Sequence, residues 1–379
     1  MADKKITRVW SPMKASPDYT LSPDATPEEI RATVVRAMRD ELTVQWFSEK
    51  DFIYRSKAGQ DMNVKSDEVY AGMAYVTSAT SLFHWLRFYD FKTGKMSGIG
   101  PDMDGKMGNT CASSVFWGWY AAVSSIRGCY TFHMTPANGF LPVGDYTIDP
   151  ALESLNDHHT DEIIRENGKE KIIDAYTRVK PGDAIVAFKD AKSAHAQMVV
   201  EPATVVYREG VIDLDESYLV VQDQHKGLRS TKAEFVNYYA GGKVHFAGHL
   251  AMKRPFSKLL KDAYLPLTNA EFEGKKPYTG PFVKAEGAEG LKTLSDVRKL
   301  TLVSSYPVVA VDLAVREGDR LLGESSLLTT RDDMKAFIAT ALPLKELPLP
   351  ELSGKGCRCT ITITLSCGAV LTAADFICE

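Results

Sequence analysis

The sequence predicts an α+β fold, in which helices come first along the chain and an antiparallel β-sheet follows. Helical signals dominate the first 130 residues, whereas short β-branched segments separated by Gly, Asp or Pro follow from Pro181 onward. A chain that groups its helices before its strands is typical of helices packed on an antiparallel sheet. We therefore expect a helical layer on a sheet, followed by a smaller β-rich domain.

Composition excludes several classes of protein. The chain has 379 residues, 44% of them hydrophobic, and a formal net charge of −4, which is enough chain for about two domains. It has no basic cluster, so we expect no nucleic-acid partner. It has no apolar run of about 20 residues, so we expect no membrane span.

The amino terminus leaves localisation open between two compartments. Residues 1–25 lack the apolar core of a secretory signal. The protein is therefore cytoplasmic if this terminus is native, and extracytoplasmic, at the cell wall, if a leader was removed. The sequence carries no signal for an oligomeric state.

Four segments are predicted along the chain. Residues 1–25 are rich in Pro and Ser and form an extended arm, and residues 26–255 form the main domain. Residues 256–295 lack a clear period and form a linker, and residues 296–379 form a β-rich accessory domain. The main domain opens with a marked helix start at Thr26, where a threonine cap is followed by a proline and then by a glutamate three residues after the cap.

A helix with a thiol in its first turn is predicted to begin at Cys111. Its apolar period ends at Gly128 and includes Cys111, Val115, Trp119, Ala122, Val123 and Ile126. A helix N-terminus favours a thiolate, which makes Cys111 a candidate nucleophile. The small residues that follow, Ser113 among them, leave room for a substrate carbonyl and for backbone N–H groups that hold an oxyanion.

An imidazole is predicted at the start of a buried strand. His195 opens an apolar run that continues to Val200, and a buried polar side chain is costly unless it has a role or a partner. A turn at Pro181-Gly182-Asp183, between two strands, is expected to place this imidazole at a sheet end. His195 is therefore the candidate base for a cysteine nucleophile.

A third polar group is expected to hold the second nitrogen of His195. The next strand ends in Gln222-Asp223-Gln224, and antiparallel pairing brings one of these side chains alongside His195. Gln222 and Gln224 share one face of that strand, and Asp223 points the other way. We prefer Gln224, then Gln222, with Asp223 in reserve; a solvated strand end is the alternative for each.

Four cysteines crowd the carboxyl-terminal segment: Cys357, Cys359, Cys367 and Cys378. Three of them share odd positions with isoleucine and leucine, and threonine or serine stands between, so one strand face buries them. Cysteine there behaves as a small hydrophobe. We prefer structural thiols over a disulfide or a metal site, because a Cys-x-x-Cys pair and a nearby histidine are lacking. No metal and no cofactor are expected.

Four segments, in this order, resemble the NlpC family of papain-like cell-wall cysteine peptidases. The family carries Tyr-x-Gly-x-Pro-Tyr, Asp-Cys-Ser-Ser/Gly-Phe-Val, Leu-x-Pro-Gly-Asp-Leu and His-Val-Gly. The chain has Tyr70-Ala71-Gly72-Met73-Ala74-Tyr75, Thr110-Cys111-Ala112-Ser113-Ser114-Val115, Val179-Lys180-Pro181-Gly182-Asp183-Ala184 and His195-Ala196-Gln197. It departs from the family at Thr110, Ala74 and Ala196-Gln197.

The resemblance covers roughly residues 26–252 and implies a papain-like cysteine peptidase domain. It implies that Cys111 is the nucleophile, His195 the base, a polar residue near Gln224 the orienting group and Tyr75 a substrate-binding wall residue. The implied substrate is a peptidoglycan stem peptide, cleaved between D-glutamate and a diamino acid. Relatives on this fold include amidases and acyltransferases. The alternative of another class is a non-catalytic module that binds a glycan or a peptide.

Overall fold

Two compact units make up the chain. The computed structural model describes residues 12–55, 61–66, 68–77, 79–100, 106–190, 193–230, 244–329, 341–352 and 355–379, without the side chains of 226–230 and 244–247. The first unit contains residues 12–15 and Asp24–Tyr278, and the second contains Ser16–Pro23 and Thr279–Glu379. The architecture is mixed α/β with several antiparallel sheets, which is compatible with the predicted class.

The α-helices of the described residues all belong to the first unit. They are α1 Pro27–Thr43, α2 Leu82–Leu86, α3 Cys111–Tyr120, α4 Thr160–Asn167, α5 Lys169–Arg178 and α6 Phe256–Lys261. Short 3-10 helices span Thr131–His133, Pro136–Asn138, Ala288–Gly290 and Leu294–Lys299. The start of α1 is confirmed: the Glu29 N–H donates to Thr26 Oγ1 at 3.3 Å, and the Thr26 N–H donates to Glu29 Oε2 at 2.8 Å. No helix in the described ranges is long and apolar enough to cross a bilayer.

An eight-stranded sheet forms the centre of the first unit. The strands of this unit are β1 Gln45–Trp46, β2 Phe52–Tyr54, β3 Met62–Val64, β4 Val69–Ala71, β5 Leu141–Pro142, β6 Ala184–Phe188, β7 Ala194–Val199, β8 Tyr207–Arg208, β9 Val211–Ile212, β10 Tyr218–Ser230, β11 Val244–Pro255 and β12 Leu265–Thr268. The sheet order is β1-β4-β11-β10-β7-β6-β12-β5. The β4·β11 pair is parallel, and the other neighbours in this sheet are antiparallel. Separate pairs are formed by β2 with β3 and by β8 with β9.

Helix α3 packs closely against both α1 and β7. A Cβ atom at Gly118 would lie 2.9 Å from Met198 Cε and 3.0 Å from Met38 Cβ, so the glycine permits this approach. The next residue, Trp119, stacks on Phe140 with ring centroids 4.6 Å apart. Helix α3 ends at Tyr120, earlier than the predicted end at Gly128. Its first residue nevertheless lies against the strands of the sheet.

A buried ion pair connects α1 to the turn before β6. Arg31 Nη1 lies 2.7 Å from Asp183 Oδ1 and donates to the Pro181 carbonyl at 3.0 Å, and Nη2 lies 3.0 Å from Glu273 Oε1. Burial raises the pKa of Asp183, and the Arg31 charge opposes that effect. The predicted turn is present, but it joins helix α5 to β6 rather than two strands.

The second unit contains two antiparallel sheets. Its strands are β13 Val283–Glu286, β14 Thr301–Ser304, β15 Val308–Glu317, β16 Arg320–Leu328, β17 Ala341–Pro343, β18 Arg358–Leu365 and β19 Val370–Ile377. Their orders are β13-β14-β17 and β16-β15-β18-β19. In β18 the odd positions, from Cys359 to Leu365, are buried and the even ones are more exposed, which confirms the predicted alternation.

Two predicted boundaries are wrong. The segment 256–295 is not a linker, because α6 belongs to the first unit and β12 lies inside its sheet with Leu265 and Leu267 fully buried. The segment 1–25 is not simply an arm. Of its described residues, Ser16–Pro23 belong to the second unit, where Tyr19 is buried and its N–H donates to the Cys367 carbonyl at 2.9 Å. Residues 1–11 lie outside the described residues.

Candidate functional site

Cys111 is the first residue of α3, as predicted. Thr110 is the N-cap: its Oγ1 accepts from the Ser113 N–H at 3.3 Å, and its own N–H donates to Ser113 Oγ at 2.6 Å. The N–H groups of Cys111 and Ala112 occupy the first two helical positions, which have no acceptor within the helix. The positive end of the helix dipole therefore lies at the thiol. The Cys111 N–H contacts the Tyr75 hydroxyl.

The carboxyl group of Glu41 fixes the residues on both sides of Cys111. Glu41, on α1, is buried, and its Oε2 accepts from Asn109 Nδ2 and from Ser114 Oγ, both at 3.0 Å. Burial raises the pKa of Glu41 well above its ordinary value, and the hydrogen bonds from Ser114, Leu82 and Asn109 oppose the increase. One side chain thus connects α1 to the loop before α3 and to its first turn.

Replacing Glu41 by alanine is expected to destabilise the first unit. The Asn109 amide and the Ser114 hydroxyl would lose a buried acceptor, at a cost of about 2–4 kcal/mol in the free energy of unfolding. The measurement is urea denaturation followed by tryptophan fluorescence. The matched control is Glu28→Ala, an exposed glutamate in the first turn of the same helix, which is expected to cost less than about 1 kcal/mol. Equal losses in the two variants would show that the Glu41 contacts carry no stability.

His195 lies near the start of β7, and its ring contacts a carboxylate. The β7·β10 register pairs Val199 with Val221 and Met198 with Gln222. Because side chains alternate along a strand, this register puts His195 on the same face as Asp223. His195 Nε2 lies 2.8 Å from Asp223 Oδ2. The other ring nitrogen, Nδ1, is therefore the one left for the Cys111 thiol, which lies within hydrogen-bonding reach of the imidazole.

The pKa shifts of Cys111 and His195 favour an ion pair. Burial raises the pKa of the Cys111 thiol, but the His195 charge, hydrogen bonds from His195 and the Ala196 N–H, and Tyr75 lower it by more. Burial lowers the pKa of His195, but the Cys111 thiolate and the Asp223 carboxylate outweigh this effect and raise it to about 10. The pair is therefore more stable as thiolate and imidazolium than as two neutral groups.

Asp223 accepts hydrogen bonds on both carboxylate oxygens. Oδ2 accepts from His195 Nε2 and, at 2.9 Å, from Gln197 Nε2, and Oδ1 accepts from His249 Nδ1 at 2.7 Å. Burial raises the pKa of Asp223, but these imidazole contacts hold it well below its ordinary value. The carboxylate is thus a fixed anion between two histidines.

The preference for Gln224, and then Gln222, as the partner of His195 is wrong. Gln224 Nε2 donates to the Met73 carbonyl at 2.7 Å, and Gln222 Nε2 donates to the Val35 carbonyl at 3.0 Å. Both side chains lie on the face opposite His195, and the reserve candidate Asp223 occupies the position. Strand alternation alone separates the two faces; only the register with β7 decides which one meets His195.

Tyr75 lies beside the thiol. The Val76 N–H donates to the Asn109 carbonyl at 3.0 Å, and the Asn109 N–H donates to the Ala74 carbonyl at 3.0 Å. This pairing places Tyr75 Oη 4.0 Å from Cys111 Sγ. Burial raises the pKa of Tyr75, as does the adjacent Cys111, so the phenol remains a proton donor.

Ser113 does not line the cavity, and its predicted role in binding substrate is wrong for its side chain. It is fully buried, and its hydroxyl contacts Thr110 as part of the helix cap. Geometry explains the difference, because the third residue of a helix points back over the preceding turn. The Ser113 hydroxyl therefore completes the helix cap and is not part of the cavity wall.

A cavity of about 820 Å³ opens over Cys111 and His195. Its wall includes an aromatic cluster, in which Tyr130 and Phe132 stack with centroids 5.3 Å apart and Phe132 meets Phe188 edge-on at 6.4 Å. Sequence reasoning missed this wall and the contact of His249 with Asp223. Tyr130 and Phe132 follow α3 without any period, and Phe188 is the last residue of β6. His249 is brought to Asp223 only by the β10·β11 register.

One group of side chains in the described residues has the donors and spacing for a metal ion. The ligand atoms of His195, Asp223 and His225 all lie within 4.8 Å of one another. His195 and Asp223 are already hydrogen-bonded to each other at 2.8 Å, so an ion at this group would compete with that hydrogen bond. The expectation that the protein needs no metal stays a prediction.

Comparison with known proteins gives no match: no protein-family model, no curated protein and no solved structure matches this chain. The likeness to the NlpC family therefore consists of the four sequence segments alone.

Proposed function

We propose that the protein is a cysteine hydrolase that cleaves an amide bond through a thiol acyl-enzyme. The observation that carries the proposal is the ordered chain Cys111, His195 and Asp223 at one cavity. A nucleophile, a base in contact with it and a carboxylate that orients the base are the parts that covalent hydrolysis requires. A module that only bound its ligand would gain nothing from a thiolate–imidazolium pair.

In the acylation step the Cys111 thiolate attacks the substrate carbonyl carbon. The oxyanion that forms is held by the N–H groups at the start of α3, and the Tyr75 hydroxyl, 4.0 Å from the sulfur, is a further donor at the same place. His195 then gives its Nδ1 proton to the leaving amine, and Asp223 holds the ring in position for that transfer. The carbonyl carbon is now bonded to sulfur.

In the deacylation step His195 accepts a proton from a water molecule, which attacks the thioester. The carboxylic acid leaves and the thiolate–imidazolium pair is restored. Asp223 keeps the imidazolium stable in both steps, because its carboxylate is a buried, fixed anion.

The substrate class rests on resemblance. The four NlpC-like segments support a papain-like arrangement in which the thiol helix packs against the strand that carries the imidazole, and here α3 packs on β7. By that likeness the substrate is a peptidoglycan stem peptide, cut between D-glutamate and a diamino acid. The cavity volume, about 820 Å³, accommodates a peptide segment rather than a single small group.

Thiol reactivity tests the proposal without knowledge of the substrate. We expect iodoacetamide to modify Cys111 at about pH 6, well below the ordinary thiol pKa of about 8.5, because its thiolate is stabilised. Cys129 is the internal control, since it is buried and follows α3 rather than opening it. Trypsin separates the two thiols by cleaving at Arg127, so mass spectrometry gives both rates from one digest.

His195→Ala is the second arm of this experiment. Without the imidazolium, labelling of Cys111 should require a pH about two units higher than in the unmodified protein, while the slow rate of Cys129 should not change. Equal, slow labelling of both cysteines in the unmodified protein would contradict the hydrolase proposal and favour a binding module.

A further inference from the structure

Two buried sulfur atoms lie in contact in the second unit. Cys359 is near the start of β18, Cys378 directly follows β19, and their Sγ atoms are 3.1 Å apart. This separation is shorter than ordinary van der Waals contact between sulfur atoms. It has to decrease by only about 1 Å to reach the covalent S–S length of about 2.05 Å.

Backbone pairing holds both cysteines in place. Cys359 lies opposite Phe376 in the β18·β19 ladder. The pairing continues past the end of β19, because the Cys378 N–H donates to the Cys357 carbonyl at 3.0 Å and the Gly356 N–H donates to the Cys378 carbonyl at 2.8 Å. Cys378 is thus directly opposite Cys357 and diagonal to Cys359, and diagonal neighbours on one face are within reach of each other.

The third thiol of this face, Cys357, points elsewhere. Its Sγ contacts the Lys355 carbonyl at 3.7 Å. Although Cys357 and Cys378 are backbone partners, the sulfur that approaches Cys378 is that of Cys359. Of Cys357 and Cys359, it is therefore Cys359 whose sulfur contacts that of Cys378.

We propose that Cys359 and Cys378 form an intramolecular disulfide when the protein meets a small-molecule disulfide oxidant. The Cys378 thiolate attacks one sulfur of the oxidant, the S–S bond of the oxidant breaks, and one thiol leaves. The Cys359 thiolate then attacks the Cys378 sulfur of this mixed disulfide and expels the second thiol. Two protein thiols lose two protons and two electrons, and the oxidant is reduced to two thiols.

The order of these steps follows from position and acidity. Cys378 directly follows the last residue of β19, so opening of this strand end gives an oxidant access to it. Burial raises the pKa of Cys359 to about 12, and the adjacent Cys378 contributes to the increase. Cys359 therefore reacts second, as the resolving thiol.

Peptide mapping of the whole protein tests the proposal. The reduced protein is equilibrated with oxidised glutathione, the remaining thiols are alkylated, and the chain is cut at Arg358 and before Asp375. The disulfide joins the peptide 359–374 to the peptide 375–379. Because the longer peptide also contains Cys367, the variants Cys357→Ser, Cys359→Ser and Cys367→Ser are mapped in parallel.

We expect the linked peptides in the unmodified protein, in Cys357→Ser and in Cys367→Ser, and we expect them to vanish in Cys359→Ser and after reduction. The disulfide joins residues 19 positions apart and so restricts the unfolded chain. The melting temperature of the second unit should therefore rise by several degrees on oxidation. Persistence of the link in Cys359→Ser, or no link in any sample, overturns the proposal. Should Cys359→Ser not fold, Cys367→Ser carries the test, because Cys359 is then the one cysteine left in the longer peptide. None of these outcomes depends on amide hydrolysis.

Discussion

Cys111→Ala is expected to abolish hydrolysis of a D-glutamyl–diamino acid bond while leaving the fold intact. Loss of the nucleophile in a thiol hydrolase removes the covalent route, so kcat/KM should fall by about 10⁴-fold or more. The side chain is small and opens a helix, so circular dichroism and the melting temperature should change little. The measurement is release of new amino groups from purified muropeptides.

Cys129→Ala provides the matched control for this variant. Cys129 is also a buried thiol close to α3, but it lies beyond the end of the helix, so its removal should leave kcat/KM within a factor of about two while lowering stability slightly. If the unmodified protein and Cys111→Ala bind muropeptides equally and neither releases amino groups, the protein is a binding module instead.

Asp223→Ala is expected to lower kcat/KM by about 10²- to 10⁴-fold, because the imidazole loses the group that orients it and stabilises its charge. The pH dependence changes in a defined direction. The carboxylate helps to raise the pKa of His195 to about 10. In the variant this pKa falls toward the ordinary value of about 6.5. The alkaline limit of kcat/KM, above which the ring has lost the proton that it gives to the leaving amine, therefore moves down. The thiolate also loses part of its cationic partner, so the acid limit moves up.

Gln222→Ala and Gln224→Ala distinguish this role from a general effect on β10. Gln222→Ala removes a donor from the half-buried Val35 carbonyl, and Gln224→Ala removes one from the buried Met73 carbonyl. Each change should cost about 1–2 kcal/mol in the free energy of unfolding. Neither glutamine contacts His195, so both limits of the kcat/KM profile should stay where they are. A shift of both limits in Gln224→Ala, with none in Asp223→Ala, would restore the glutamine as the orienting group.

The positions of Cys111 and His195 could be predicted because their signals are local. The cap at Thr110 and the small residues after Cys111 specify a helix start within one turn of chain. The apolar run after His195 specifies a strand in the same way. Each signal is contained in fewer than ten residues, so no knowledge of distant pairing is needed.

The partner of His195 could not be predicted, because it depends on the register between β7 and β10. A shift of one residue exchanges the two faces of a strand, and the chain from 194 to 230 contains no feature that fixes this shift. His249 was missed for the same reason, since it meets Asp223 through the β10·β11 register. The sequence identifies the polar triplet Gln222-Asp223-Gln224, but only the register of the folded sheet shows that Asp223 is the member that contacts His195.

The boundary between the two units was missed because the relevant elements are short. The strand β12 has four residues and contains a proline, and α6 has six residues. Neither is long enough to show a period against the prolines and charges around it. Their burial comes from the sheet and helices that surround them, which a window on the sequence does not include.

The three hydrogen bonds on Asp223 have a kinetic consequence. Three of the roughly four lone-pair sites of the carboxylate are already occupied, and burial of Asp223 keeps incoming water from the remaining one. Under the proposed hydrolysis, a single imidazole then shuttles the proton in both halves of a ping-pong cycle. Whichever half limits turnover, the alkaline side of the pH profile follows the titration of that one ring, and the acid side follows the Cys111 thiol.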